Sequence, residues 1–207
     1  MVVKRRKRTD SSDEKGNILF CGVGGQGILL ASEVVGYALI QNGFDVKKSE
    51  VHGMAQRGGS VEAFLRFGKK VYSPLIEPTT VDIQVSFELL ESLRYLPMLG
   101  KQSRIIVNTQ KIPPLSVSTG IETYPDGIIE RLKGFGLEVY PIDAFQISKE
   151  IGEVRTVNMV LVGALSNFLP VDEDAFLDVI KWRVPERFRE VNLEAFKRGR
   201  GLIDNIK

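Results

Sequence analysis

The most constraining feature of the chain lies near its start, where the apolar run Asn17-Ile18-Leu19-Phe20-Cys21-Gly22 passes into Gly22-Val23-Gly24-Gly25-Gln26-Gly27. A short continuous apolar run ending in glycine is what a strand buried on both faces looks like. Residues 28–40 then place apolar side chains at helical spacing, and Gln41-Asn42-Gly43 supplies a stop with Gly43 at the C′ position. Residues 44–51 read as a second strand. Strand, glycine turn, helix and strand within about 35 residues make a βαβ unit, which implies a parallel sheet and a right-handed crossover.

From Ser60 the period becomes two, with Val61, Ala63, Leu65 and Phe67 alternating with Ser60, Glu62, Phe64 and Arg66. With Gly68-Lys69-Lys70 as a turn into Val71-Tyr72-Ser73, this pair reads as a hairpin at a sheet edge. Val81, Ile83, Val85 and Phe87 form another strand, followed by a helix through Leu90, Leu93 and Leu96 whose last turn is marked by Pro97. Residues 104–108 are a further strand, 112–125 a proline-rich loop, Asp126 the cap of a helix through Ile129 and Leu132, and 137–142 the last strand. Beyond Ile151 the pattern is helical over 156–169, 172–183 and 185–206, the middle helix opening on Asp172-Glu173-Asp174, as suits a helix N-terminus. The expected fold is therefore α/β: a three-layer α/β/α, Rossmann-like, mostly parallel sheet with a C-terminal helical segment. Its core spans 16–150 and its helices 151–207, after a disordered basic leader over 1–15.

Composition limits function. At 207 residues and 43% hydrophobic the chain suits one domain with an ordinary core. The net charge of +2 is unevenly spread: residues 1–16 carry six basic and three acidic side chains and 181–207 eight and four, leaving 14 basic against 19 acidic between them. Basicity thus belongs to the two ends, and the body is acidic. Lys4–Arg8 lacks interleaved aromatics, so it reads as a solvated leader and argues against a nucleic-acid partner. One cysteine, Cys21, excludes an intrachain disulfide and a four-thiolate cluster, and a single histidine, His52, excludes a histidine-rich metal centre. A reducing, cytoplasmic setting is expected. No apolar segment of signal-peptide shape follows the basic run. The longest apolar stretch, Val157–Leu169, is too short to span a bilayer, so no membrane is expected.

Two segments can carry chemistry. The first, with Gly22, Gly24 and Gly27 as G-x-G-x-x-G after a strand and opening a helix, suits close approach of an anion to free backbone N–H groups. A nicotinamide dinucleotide also asks for an acid at the end of the second strand, near Glu50, yet Lys47 and Lys48 crowd that place. Dinucleotide binding, phosphate binding and a purely structural turn all remain open on this pattern. The second, Glu50-Val51-His52-Gly53-Met54-Ala55-Gln56-Arg57-Gly58-Gly59-Ser60, follows the C-terminal end of the second strand, where open α/β sheets bind ligands. Arg57 can grip a carboxylate or phosphate in bidentate fashion, and Gly58 and Gly59 let backbone approach; a hydrogen-bonded structural histidine is the bland alternative for His52. No nucleophile constellation is visible, Cys21 falling in a buried strand. Asp172-Glu173-Asp174 reads as a helix start rather than a metal cluster. Trp182, Phe188 and Phe196 read as packing residues.

Together these two segments resemble the gamma-type subunits of the 2-oxoacid:ferredoxin oxidoreductases. Ser73-Pro74-Leu75-Ile76, Phe87–Pro97 and Asn158–Leu165 fit as well, so the resemblance covers about residues 16–206. The His52–Gly59 stretch is closer to the indolepyruvate (arylpyruvate) branch than to the pyruvate or 2-oxoglutarate branches. The resemblance implies a subunit without a cluster, active only in a complex that oxidatively decarboxylates aryl 2-oxo acids. Thiamine diphosphate, Mg2+ and [4Fe–4S] clusters would reside in a larger alpha subunit, with coenzyme A as acyl acceptor and ferredoxin as electron acceptor. It also implies that Gly24, Gly25, Gln26, Gly27, Gly58 and Gly59 face the partner's cleft, with His52 and Arg57 as candidate catalytic residues. A gamma subunit acting on pyruvate or 2-oxoglutarate and a stand-alone NAD(P)-binding oxidoreductase are the competing readings.

Overall fold

A computed structural model describes residues 14–52 and 59–204. The leader over 1–13, the segment 53–58 with Arg57 and Gly58, and residues 205–207 lie outside the described residues. Six strands, β1 (Gly16–Val23), β2 (Asp45–His52), β3 (Ser60–Gly68), β4 (Val81–Ser86), β5 (Leu99–Asn108) and β6 (Glu138–Ile142), form one sheet in the order β2-β3-β1-β4-β5-β6. The pairs β1–β4, β4–β5 and β5–β6 are parallel. β3 runs antiparallel to both of its neighbours, β1 and β2.

That placement corrects two expectations. β1 and β2 do flank a helix, α1 (Ile28–Gln41), and run in the same direction, but β3 lies between them and the βαβ unit is split. β3 is thus interior rather than at the sheet's edge, and Val71-Tyr72-Ser73 forms no strand. Its alternation has another cause: Val61, Ala63, Leu65 and Phe67 are buried under α1, while Ser60, Glu62, Phe64 and Arg66 on the other face are only partly covered. The edge strand is β2, whose Asp45, Lys47, Lys48 and Glu50 suit a rim that must not pair with another chain.

α1 ends as its sequence predicts. Gly43 takes φ 87°, its N–H donates to the carbonyl of Ile40, and the N–H of Phe44 donates to that of Leu39, so the last carbonyls are satisfied in a Schellman turn. The expected helix through Leu90–Leu96 shrinks to the single turn α2 (Glu91–Arg94), and Pro97 sits inside a following 3-10 turn, Leu96–Met98, rather than closing a helix. A four-residue turn α3 (Leu115–Ser118) lies in the proline-rich loop. Asp126 does not cap α4 (Ile128–Gly134): Gly127 at φ 65° is the cap residue, and the Asp126 carboxylate reaches Lys111 instead.

One face of the sheet carries a thick layer made of α1, α5 (Ala144–Ile151), α6 (Val157–Ser166), α7 (Glu173–Arg183) and α8 (Arg189–Asp204), all sharing an apolar cluster with Phe20, Val85 and Ile106. All ten residues of α6 are buried, which makes the apolar stretch a core helix as expected. Phe196 stacks on Phe176 inside this layer, whereas Trp182 is half exposed and meets Tyr37 edge-on. The other face is thin: α2, α4 and the strap through Ile76 cover a smaller cluster with Leu19, Ile105 and Val107. No helix among the described residues is long and apolar enough to cross a membrane.

Candidate functional site

The C-terminal ends of the parallel strands gather the candidate residues that lie among the described ones. Leaving β1, the chain turns through Gly24-Gly25-Gln26-Gly27 with Gly25 at φ 102° and Gly27 at φ 76°. Gly27 is required twice over, because the left-handed backbone suits glycine and a Cβ there would lie 2.5 Å from Asn158 Nδ2, the group that donates to the Gly27 carbonyl. Gln26 locks the turn from within. Its Oε1 accepts from the N–H of Val23 at 2.8 Å and its Nε2 donates to the carbonyl of Phe87 at 2.8 Å. Asn108, at the end of β5, donates to that same carbonyl at 2.9 Å and accepts from the N–H of Ala144, so three strand ends are stitched together by two buried or half-buried amides.

Gly59 lies where it was expected, beside the glycine turn: its carbonyl accepts from the N–H of Gly24 at 2.9 Å, and the next residue, Ser60, pairs with Val23. The backbone of His52 ends β2 opposite Val61, which itself pairs with Gly22. His52 is therefore two strand spacings from the turn, about 10 Å. Arg57 and Gly58 belong to the segment outside the described residues, as does the side chain of His52.

The split topology bears on the glycine motif. Glu50 was considered for a ribose because an unsplit βαβ unit sets the second strand beside the first. With β3 interposed, Glu50 pairs with Ala63 and lies beyond β3, while the N–H of Gly24 is taken up by Gly59. The turn is not arranged as a dinucleotide cradle.

The structure adds residues that sequence reasoning passed over. The stretch after β4 was read as an apolar helix, yet it delivers two carboxylates to the strand ends, Glu88 at 1% and Glu91 at 6% exposure. Glu91 accepts from Ser60 Oγ at 2.6 Å and is gripped by Arg94, whose Nε and Nη2 both donate to it. Glu88 accepts from the N–H of Glu91 at 2.9 Å, the N–H of Ile112 at 3.0 Å and Tyr124 Oη at 2.6 Å. Burial, reinforced by the neighbouring carboxylate, pushes the Tyr124 hydroxyl well above the usual tyrosine range. Tyr95 is raised likewise, by burial first and then by its hydrogen bond to Glu62. Both phenols stay neutral donors. Acids within five residues of a strand's C-terminal end were the available signal, masked by the apolar Leu89 and Leu90 between them and Leu93 beyond.

The two acids line a cleft of about 470 Å³ bounded by Val23, Ser60, Glu88, Glu91 and Arg94 on one side and Ile112–Leu115 on the other. Beneath it, Cys21 is fully buried, with its Sγ 3.3 Å from Ser86 Oγ, and burial holds the thiol far above its ordinary pKa. A larger hollow of about 880 Å³ between Lys15, Arg66, Lys70 and Asp82 opens at the opposite, N-terminal end of the strands, and none of the candidate residues lines it. Among the described residues no group of three or more His, Cys, Asp or Glu side chains can hold a metal ion. With one buried, protonated cysteine in the chain, its donor set does not fit an iron–sulfur cluster.

A strand-end cleft beside a glycine turn, on a sheet split by one antiparallel strand, defines an α/β protein of Rossmann-like class. The chain belongs to the pyruvate ferredoxin/flavodoxin oxidoreductase family, whose model matches residues 17–202. Among curated proteins it is 40% identical over 190 residues to the indolepyruvate oxidoreductase subunit IorB of Thermococcus kodakarensis, covering 88% of this chain and 93% of that one. It is 36% identical to IorB of Methanothermobacter thermautotrophicus, covering 89% and 96%, but 28% identical to the 2-oxoglutarate synthase subunit KorC of the same organism, covering 90% and 94%. The fold matches the gamma subunit of a keto/oxoacid ferredoxin oxidoreductase from Geobacter sulfurreducens with a TM-score of 0.69 at 20% identity, covering 92% of this chain and 99% of that one.

Proposed function

We propose that the chain is the small subunit of an indolepyruvate:ferredoxin oxidoreductase and contributes one wall of an active site completed by a larger partner. The observation that carries this reading is the similarity to IorB over most of the chain, 40% in Thermococcus kodakarensis and, in an organism that has both subunits, 36% to IorB against 28% to the 2-oxoglutarate synthase subunit. Thiamine diphosphate, Mg2+ and the [4Fe–4S] clusters belong to that partner, with coenzyme A and ferredoxin as co-reactants. The donor set of this chain, with its one buried cysteine, supports the division. The unit that acts is 16–207, since the C-terminal helices share the core of the sheet.

What this chain's own residues do is bind and shape. Gly25, Gly27, Gly58 and Gly59 keep side chains away from the edge so that backbone can approach an anionic group, while Gly24 closes the turn by donating its N–H to the Gly59 carbonyl. Gln26 acts from behind, holding the turn against β4. Arg57 neutralises a carboxylate or phosphate, and His52 stands at the end of the same loop. In the reconstituted complex, Arg57→Ala is expected to lower kcat/KM for indolepyruvate-dependent acceptor reduction by about 100-fold, the worth of a charge-assisted bidentate pair. His52→Ala is expected to lower it about tenfold. Near-normal values for both remove them from the site. Absence of arylpyruvate-dependent activity in a complex that oxidises pyruvate or 2-oxoglutarate instead moves the chain to another branch.

A further inference from the structure

Glu88 and Glu91 are buried carboxylates that the reading above leaves without a role. Each has its oxygens directed at a different side of the strand-end cleft. Glu91 reaches Ser60, the first residue of β3, whose neighbour Gly59 carries the carbonyl that accepts from Gly24. Glu88 reaches the N–H of Ile112 and the hydroxyl of Tyr124, which begin and end the proline-rich lip. The two acids are tied to each other by the N–H of Glu91 donating to Glu88, so both sides of the cleft hang on one turn after β4.

We propose that Glu88 and Glu91 are the positioning pair of this cleft, Glu91 fixing the wall formed by Ser60 and the Gly24–Gly59 junction and Glu88 fixing the lip from Ile112 to Tyr124. Three features support the assignment. Burying a carboxylate stabilises a protein poorly compared with apolar residues of the same volume, so two of them side by side are better explained by the geometry they impose. Arg94 grips both oxygens of the Glu91 carboxylate, which fixes the oxygen that accepts from Ser60. Tyr124 and Ile112 approach Glu88 from points twelve residues apart in the chain, so a single acid pins both ends of the lip. The catalytic consequence rests on the function proposed above, whereas the structural consequence does not: loosening one acid frees one wall and leaves the other in place.

Amide hydrogen exchange on the full chain, read by mass spectrometry, tests this. Glu91→Gln and Ser60→Ala are expected to speed exchange of the Gly24 amide at least tenfold and leave the Ile112 peptide at its wild-type rate. Tyr124→Phe is expected to do the reverse, and it keeps the fold even if Glu88→Gln does not. In the active complex, Glu91→Gln and Ser60→Ala each lower kcat about tenfold with the urea midpoint of the chain nearly unchanged, and the double variant is no worse than the poorer single one. Equal loosening of both walls by every variant, loosening of neither, or additive losses in the double variant overturn the proposal. An inactive wild-type complex overturns the function instead and leaves the exchange result standing.

Discussion

Gln26 shows how far a single side chain can depart from the role its position suggests. Set in a glycine motif, it invites a reading as a ligand contact, yet its oxygen and an amide hydrogen are spent on Val23 and Phe87. Gly22 makes room for it, since a Cβ there would lie 2.7 Å from Gln26 Oε1. Cys21 is the reverse case, a residue whose inertness was legible from a buried apolar run and is explained by its surroundings. An exposed thiol ionises near about pH 8.5, but burial holds the native thiol protonated far beyond that. The unfolded chain therefore binds fewer protons than the native one above about pH 8.5, and stability falls as pH rises, by about 1 kcal/mol over the next pH unit. Urea unfolding at about pH 8.5 and 9.5 is expected to show that loss in the wild type and a flatter profile in Cys21→Ala. Equal slopes in the two would mean that the thiol ionises in the native state.

Among the elements, α6 and α8 cross so closely that the contact is made by backbone. A Cβ on Gly163 would lie 2.0 Å from the Phe196 carbonyl oxygen, and one on Gly199 closer still to that of Val160. No rotamer relieves a clash with backbone, so Gly163→Ala must push α8 off the core. Chemical denaturation is expected to show a loss of about 3 kcal/mol, at the upper end of overpacking costs; a loss under about 1 kcal/mol would mean that α8 is free to shift. The sequence held this glycine inside an apolar helix without saying what it faced. β3 teaches a similar lesson: its alternation reports one covered and one half-covered face, which an interior strand under a thin layer shares with an edge strand.

The sheet as a whole has a thick helical layer on one face, a thin one on the other, and its candidate residues at one end. Inserting β3 between β1 and β2 is what turns a dinucleotide-like motif into a closed turn. Titration of the chain with NADH is accordingly expected to show no saturable binding in the micromolar range; such binding would mean that the Gly24–Gly59 contact opens for a ligand. The apolar Leu115 and Ile121 on the lip and Val51 at the end of β2 are exposed at the same end. That arrangement suits an edge completed by a partner rather than one that works alone.

Period, glycine placement and residue counts were enough to place the six strands, though they added a false one at Val71–Ser73, and to give the α1 stop at Gly43, the buried α6 and the inability of one cysteine to hold a cluster, because each depends on neighbours a few residues away or on simple composition. Strand order, the shared anchor at Glu88 and Glu91, and the backbone contact of α6 with α8 depend on distant residues, such as Glu88 and Ile112 at 24 apart or Cys21 and Ser86 at 65, brought together by packing. Local pattern carries no record of which distant segment will lie alongside. Ser60 and Glu91 look unrelated along the chain and become partners only because β3 turns back to lie against β1.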